Sequence, residues 1–235
     1  MRNYLTFAGR DSTEFNIWIS GSGTFDSPSR DVTQIVIPGR NGVLLQDNGR
    51  YNPLPMSYPA FISNDFVKSF EAFRAFLCAQ IGYKRLEDTY HPEEFRLAYF
   101  SDSLSPSVKT LNRSGEFTLK FTCKSERYLK SGEKAISFEN DAQIFNPTLY
   151  PSKPLIRVYG TGRVGIGSYI ITVTAVDDYV DIDCDSENAF KGSENCNSDI
   201  ELTSGSFIRI DPGNNGVLLD GSISKIEIIP RWWTI

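Results

Sequence analysis

Glu116-Phe-Thr-Leu-Lys-Phe-Thr-Cys-Lys124 alternates apolar and polar residues without a break. A β-strand sends successive side chains to opposite faces, so Phe117, Leu119, Phe121 and Cys123 point inward. Glu116, Thr118, Lys120, Thr122 and Lys124 point out. One buried face and one wet face read as half of a β-sandwich, and much of the rest of the chain follows the same grammar. A strand is expected at Phe95–Phe100. Beyond residue 150 come short β runs at Leu155–Tyr159, Tyr169–Thr174, Tyr179–Cys184, Phe207–Ile210 and Ile223–Ile229, separated by turn residues. That rhythm predicts an all-β sandwich or barrel.

One segment breaks the period. Phe66, Phe70, Phe73, Leu77 and Ile81 recur at intervals of four, three, four and four, a single helical stripe. Phe76 and Val67 widen it. Ser63-Asn64-Asp65 offers cap residues and Gly82 a stop, which predicts a helix over about 65–81. A helix this aromatic on one side lies on a sheet or on another subunit. Its polar face, with Lys68, Glu71 and Arg74, has none of the basic excess of a membrane-surface helix. The fold class is therefore mainly β with one prominent helix in the N-terminal half.

Prolines 147, 151 and 154 fall within eight residues and read as an extended, poorly paired linker. They put a domain boundary at about residue 145, with domains at 1–145 and 146–235. One phrase occurs in both halves: Pro38-Gly-Arg-Asn-Gly-Val-Leu-Leu45 and Pro212-Gly-Asn-Asn-Gly-Val-Leu-Leu219. Each follows a β-rich run. Pro presets φ, and Gly and Asn accept φ > 0, so each reads as turn chemistry feeding a new strand rather than as a domain repeat.

The 235 residues suffice for one large or two modest cores. A net charge of −5 without a basic stripe argues against a grip on nucleic-acid phosphates. The N-terminal stretch lacks the apolar core of a secretory signal, and no apolar run approaches membrane-span length, so the chain is expected to be soluble. The four cysteines, 78, 123, 184 and 196, form no C-x-x-C pair. Cys78 and Cys123 read as small buried hydrophobes, and whether Cys184 and Cys196 bridge stays open. A single histidine, His91, excludes a multi-histidine metal site.

Four constellations invite a chemical reading. Asp177, Asp178, Asp181, Asp183, Asp185 and Glu187 form an acidic ladder, but Ser186 and Gly192 stand where a calcium loop needs glycine and an acid, so a solvated strand face is expected. Asp88, His91, Glu93 and Glu94 could do acid–base work. They lack a nucleophile elbow and read as a surface loop. Gly160-Thr-Gly-Arg-Val-Gly165 spells a dinucleotide fingerprint, yet a strand follows where a helix N-terminus is required, so a hairpin turn is expected. Trp232 and Trp233 are candidate partner or sugar contacts, set against plain packing. No catalytic, cofactor or metal residue is assigned.

The order of several segments resembles the distal tail protein (Dit) family of long-tailed phages and prophages of Gram-positive bacteria. The resemblance rests on Val36-Ile-Pro-Gly-Arg-Asn-Gly42, Asp47-Asn-Gly-Arg-Tyr51, the aromatic helix and Arg85-Leu-Glu-Asp-Thr-Tyr-His-Pro-Glu-Glu-Phe-Arg-Leu-Ala98. It continues through Phe117–Cys123, Glu126-Arg-Tyr-Leu129, Asn146-Pro-Thr148, Pro154-Leu-Ile-Arg-Val-Tyr-Gly160, Pro212-Gly-Asn-Asn215 and Pro230-Arg-Trp-Trp233. Ser125 departs from it, since such proteins often carry proline after the strand cysteine. The resemblance implies a structural, non-enzymatic protein of the virion tail tip, assembled in the bacterial cytoplasm. It implies an N-terminal, tail-tube-like β domain that forms a homohexameric ring, and a galectin-like C-terminal sandwich. Implied partners are the major tail protein, the tape-measure protein, the tail-associated lysin or fibre and a receptor-binding protein, with DNA crossing the lumen unread. Candidate subunit-interface residues are Arg40, Phe66, Phe70 and Phe73. The competing reading is a carbohydrate-binding adhesin.

Overall fold

The computed structural model describes residues 2–21, 23 and 25–235. Two units emerge: Met1–Arg127 with Ile235, and Tyr128–Thr234. The boundary thus falls near residue 127, not 145. The strands Ile136–Phe138 and Ala142–Asn146 pair with Lys225–Ile229 and Gly213–Gly221, both in the second unit. The proline-rich stretch is no linker. The Asn146 amide donates to the Tyr150 and Ile210 carbonyls, both at 2.9 Å, and its oxygen accepts the Thr148 N–H and hydroxyl. The prolines shape a turn of the second unit, anchored by the buried Asn146, Thr148 and Ser152.

In the first unit a sheet runs in the order Arg10–Asp11, Leu5–Phe7, Lys84–Asp88, Glu94–Tyr99, Ser114–Leu129, Leu54–Ile62, Ile17–Ile19. The alternation in 116–124 is realised against the 54–62 strand. Phe117, Leu119, Phe121 and Cys123 sit opposite Ala60, Tyr58, Met56 and Leu54, and all eight are buried. The helix spans Phe66–Cys78 and lays Phe66, Phe70, Phe73 and Leu77 on this face. Phe70 meets Phe117 edge-on at 5.3 Å, and Phe73 packs on Phe15 at 5.2 Å. A Cβ at Gly115 would collide with the Phe66 ring, so glycine at that strand position lets the helix seat. The predicted cap residues do not cap. The N–H groups of Phe66 and Val67 donate to the backbone and side-chain oxygens of Asn112, from a loop distant in sequence. Ile81, placed on the stripe by periodicity, lies beyond the helix end and is 86% exposed. Val67 and Cys78 are exposed as well, because they lie off the buried arc.

The second unit is a sandwich of two sheets sharing one core. One sheet runs Ile136–Phe138, Lys225–Ile229, Leu155–Tyr159, Tyr179–Asp183, Asn188–Lys191, Glu194–Asn195. The other runs Ala142–Asn146, Gly213–Gly221, Gly162–Ile166, Tyr169–Val173, Ile200–Glu201. Apolar rows cross the strands in register, Ile182–Ile156–Ile228 and Val180–Val158–Ile226, and the opposite sheet answers with Val164, Ile166, Ile171 and Val217. Phe207–Ile210 is not a strand; only Ile210 bridges, to Ser152. Gly160 and Gly162 do not make a hairpin. The strands on either side of them belong to different sheets, and the glycines carry the chain past the carbonyls of Ser222 and Asp220, where a Cβ would not fit.

Candidate functional site

Among the described residues, Arg30–Val36 and Val43–Tyr51 pair only with each other, as a two-stranded sheet. The first copy of the doubled phrase is its tip. Pro38 and Gly39 (φ +78) stand at the two central positions of a turn closed by the Arg40 N–H on the Ile37 carbonyl at 3.2 Å, the arrangement of a type II turn. The second copy differs. There only Gly213 has positive φ (+85), and Asn214 already lies in a strand, opposite Phe145. Arg40 is exposed at the hairpin tip.

The base of the hairpin is tied by ion pairs. Arg30 meets Asp47 at 2.9 Å and Arg50 meets Asp31 at 2.6 Å. Hydrogen bonds from these arginines hold both carboxyls below their ordinary range. Its distal half is apolar on both faces. Ile35 opposes Leu44 on one, while Val36 opposes Val43 on the other, with Leu45 beside them. Val36 is 73% and Leu45 60% exposed. An isolated two-stranded hairpin is marginal in water, and contiguous exposed apolar surface marks an interaction site. Sequence reading took the tip as turn chemistry and did not foresee this surface; the apolar run on either side of Pro38–Gly42 was the available signal.

The aromatic helix offers no such surface. Phe66, Phe70 and Phe73, expected as candidate interface residues, are all buried in the first unit's own core. Of the two partners an aromatic helix can have, sheet or subunit, the sheet takes it. Trp232 is likewise a core residue of the sandwich, 4% exposed. Trp233 stays half-buried, with its ring on Tyr150 at 4.5 Å and its indole N–H donating to the Pro151 carbonyl at 2.9 Å.

The His91 cluster lines a cavity of about 20 Å³ with Tyr58, Asp88, Glu94, Arg96 and Arg127. Asp88 is fully engaged: it accepts the Tyr58 hydroxyl at 2.9 Å, the N–H groups of Tyr90 and His91, and faces the His91 ring at 3.2 Å. Burial and the Asp88 charge raise the Tyr58 hydroxyl pKa well above the phenolic range. Glu94 pairs with Arg127 at 3.2 Å. No serine, threonine or cysteine lines the cavity among the described residues. Nη1 of Arg96 and Nε of Arg127 are buried without an acceptor among the described residues, and burial pulls the Arg96 pKa down. A buried guanidinium nitrogen left without an acceptor is costly even with the Glu94 charge acting on the group. Arg96→Met is therefore expected to leave stability unchanged or raise it by about 1 kcal/mol, checked by urea unfolding. A large loss would mean the charge is satisfied in solution.

The acidic ladder is not a free solvated face. Asp181 is buried and takes a bidentate Arg157 at 2.7 and 2.8 Å; Asp183 takes Arg231 at 2.6 Å, and Asp185 takes Lys153 at 3.2 Å. The cations come from strands and loops distant in sequence, so spacing within the ladder could not reveal them. Among the described residues no acidic, histidine or cysteine group is arranged to hold a metal. All four cysteines are free thiols, and burial pushes Cys123 and Cys184 up to about 12. Burial also acts to raise Asp183, but the Arg231 hydrogen bond and the N–H groups of Asp185 and Ser186 outweigh it, leaving the carboxyl below its ordinary 3.8. A carboxyl depressed by folding stabilises above its unfolded value and loses that contribution as pH falls through the folded one. The sandwich should hold its melting temperature from neutrality to about pH 5 and lose it below about pH 4. Asp183→Asn should blunt that acid loss in a thermal scan.

The described residues thus form two β-rich units, the first of which carries an apolar hairpin. Solved structures share this architecture. The SPP1 Dit protein, described as a paradigm of the hub adsorption apparatus in phages infecting Gram-positive bacteria, superposes with a TM-score of 0.77 over 100% of both chains at 13% identity. Chains of the phage p2 baseplate in its activated conformation match at TM-scores of 0.51, with strontium, and 0.50, with calcium. They are 10% identical and cover 96% and 97% of each chain. No protein-family model matches the chain, and no curated protein matches it. The fold of the whole chain is thus that of the SPP1 hub protein.

Proposed function

We propose that this chain is a structural hub of a phage tail tip, closing as a hexameric ring with the first unit as the ring former. The full-length likeness to the SPP1 Dit fold carries this reading. The exposed hairpin supports it locally, since a ring is a head-to-tail assembly in which each subunit offers one surface to a different surface of its neighbour. A neighbouring copy would cover both apolar faces of the hairpin, with Arg40 reaching across at its tip. The galectin-like role falls to the second unit, facing outward. The major tail protein, tape-measure protein, tail lysin or fibre and a receptor-binding protein are the partners this position calls for. A net charge of −5 suits a lumen through which DNA slides without being held.

The hairpin provides the test. Ile35→Lys with Val36→Glu puts one charge on each face at positions that are already exposed. The folded chain should lose less than about 0.5 kcal/mol, while ring formation should fail in native mass spectrometry. Arg40→Ala should weaken the ring, and an unchanged ring would remove Arg40 from the interface. The adhesin reading keeps only Trp233, since Trp232 is enclosed. Host-polysaccharide binding abolished by Trp233→Ala would favour it.

A further inference from the structure

The chain has three Asn-Gly pairs, Asn41-Gly42, Asn48-Gly49 and Asn215-Gly216. A glycine after asparagine leaves its backbone nitrogen unhindered. That nitrogen can attack the side-chain amide carbon, forming a C–N bond that closes a five-membered imide while ammonia departs with the amide nitrogen. Water then opens the ring at either carbonyl, giving aspartate or isoaspartate. The step needs no co-reactant but water. It does need a free amide, a free glycine N–H and a backbone able to bring them together.

The fold withholds these conditions from two of the pairs. Asn215 is buried in a strand, with its amide donating to the carbonyls of Asp211 at 2.7 Å and Gly213 at 3.0 Å. The Asn48 amide donates to Asp31 at 3.0 Å and Thr33 at 3.2 Å. The Gly49 N–H, which would be its nucleophile, donates to Asp47 Oδ1 at 2.7 Å. Asn41 is unlike both. It is exposed, lies between the two strands at the hairpin tip, and its side chain makes no hydrogen bond among the described residues. Gly42 has φ +82 and open space around it.

We propose that Asn41 is a site of spontaneous conversion to aspartate or isoaspartate, and that the fold confines the reaction to it. The product places a carboxylate beside Arg40, neutralises the charge of the tip and takes the chain from −5 to −6 (−5 − 1). The isoaspartate form also adds a backbone atom to the turn. The conversion is that of the chain on its own, before any neighbouring copy covers the hairpin, and the aged sample is kept monomeric for the test.

The test is peptide mapping by mass spectrometry of the full chain, aged at neutral pH both native and in concentrated urea. In the native chain Asn41 should convert at least about tenfold faster than Asn48 or Asn215, the factor that a local opening cost of about 1.4 kcal/mol imposes. In urea the three rates should draw together. A native map with Asn48 or Asn215 converting as fast as Asn41 would overturn the proposal. So would an Asn41 that stays intact in the native chain while converting in urea.

Discussion

Phe73→Ala is expected to destabilise the first unit by about 3–5 kcal/mol and to leave an oligomeric state dependent only on how much chain remains folded. The ring of Phe73 is 1% exposed and packs between Phe15 at 5.2 Å and Phe76 at 6.3 Å. Truncation opens a cavity that the helix, held by Phe66 and Phe70 on the sheet, cannot collapse to fill. Val67→Ala on the exposed arc of the same helix should cost less than about 0.5 kcal/mol. Urea unfolding of both variants separates the two. If Phe73→Ala kept full stability yet dissolved the assembly, Phe73 would lie between subunits and the core described here would be wrong.

Trp232→Ala should cost the sandwich a comparable amount, about 3–5 kcal/mol. Its backbone is gripped as tightly as its ring. The Leu129 N–H donates to its carbonyl at 2.9 Å, and Gly132 passes so close that a Cβ there would meet the Trp232 nitrogen. Trp233→Ala removes only a stacked pair and one hydrogen bond, so about 1–2 kcal/mol is expected. Near-ultraviolet circular dichroism through a thermal ramp distinguishes them. Equal, small effects from both would mean that neither ring is core.

How much of this was legible follows the range of the forces involved. The 116–124 strand was readable because its period is local, and every residue expected inward is buried. The helix was readable in type but not in extent: periodicity carried it to Ile81, whereas its start is fixed by Asn112 and its end falls at Cys78. The domain boundary was misread because prolines mark a change of direction, not of domain. Long-range ties place the stretch inside the second unit: the Asn146 hydrogen bonds, spanning up to 64 residues, and the bridge between Ser152 and Ile210. Buried aromatics and interface aromatics share one sequence signature, so Phe66, Phe70, Phe73 and Trp232 could not be assigned from spacing. Conversely, the apolar residues of 32–45 looked like ordinary strand material. The apolar run on either side of Pro38–Gly42 marks them as apolar, but their exposure follows from having no third strand beside them among the described residues, a matter of long-range pairing.

The central claim is that copies of this chain close into a ring, and native mass spectrometry of the intact chain, alone and with tail-tube and lysin partners, tests it most directly. A species of six copies (6 × 26.4 kDa, about 158 kDa) is predicted, lost when charges are placed on the two faces of the hairpin. A 26.4 kDa monomer at every concentration and with every partner would contradict it.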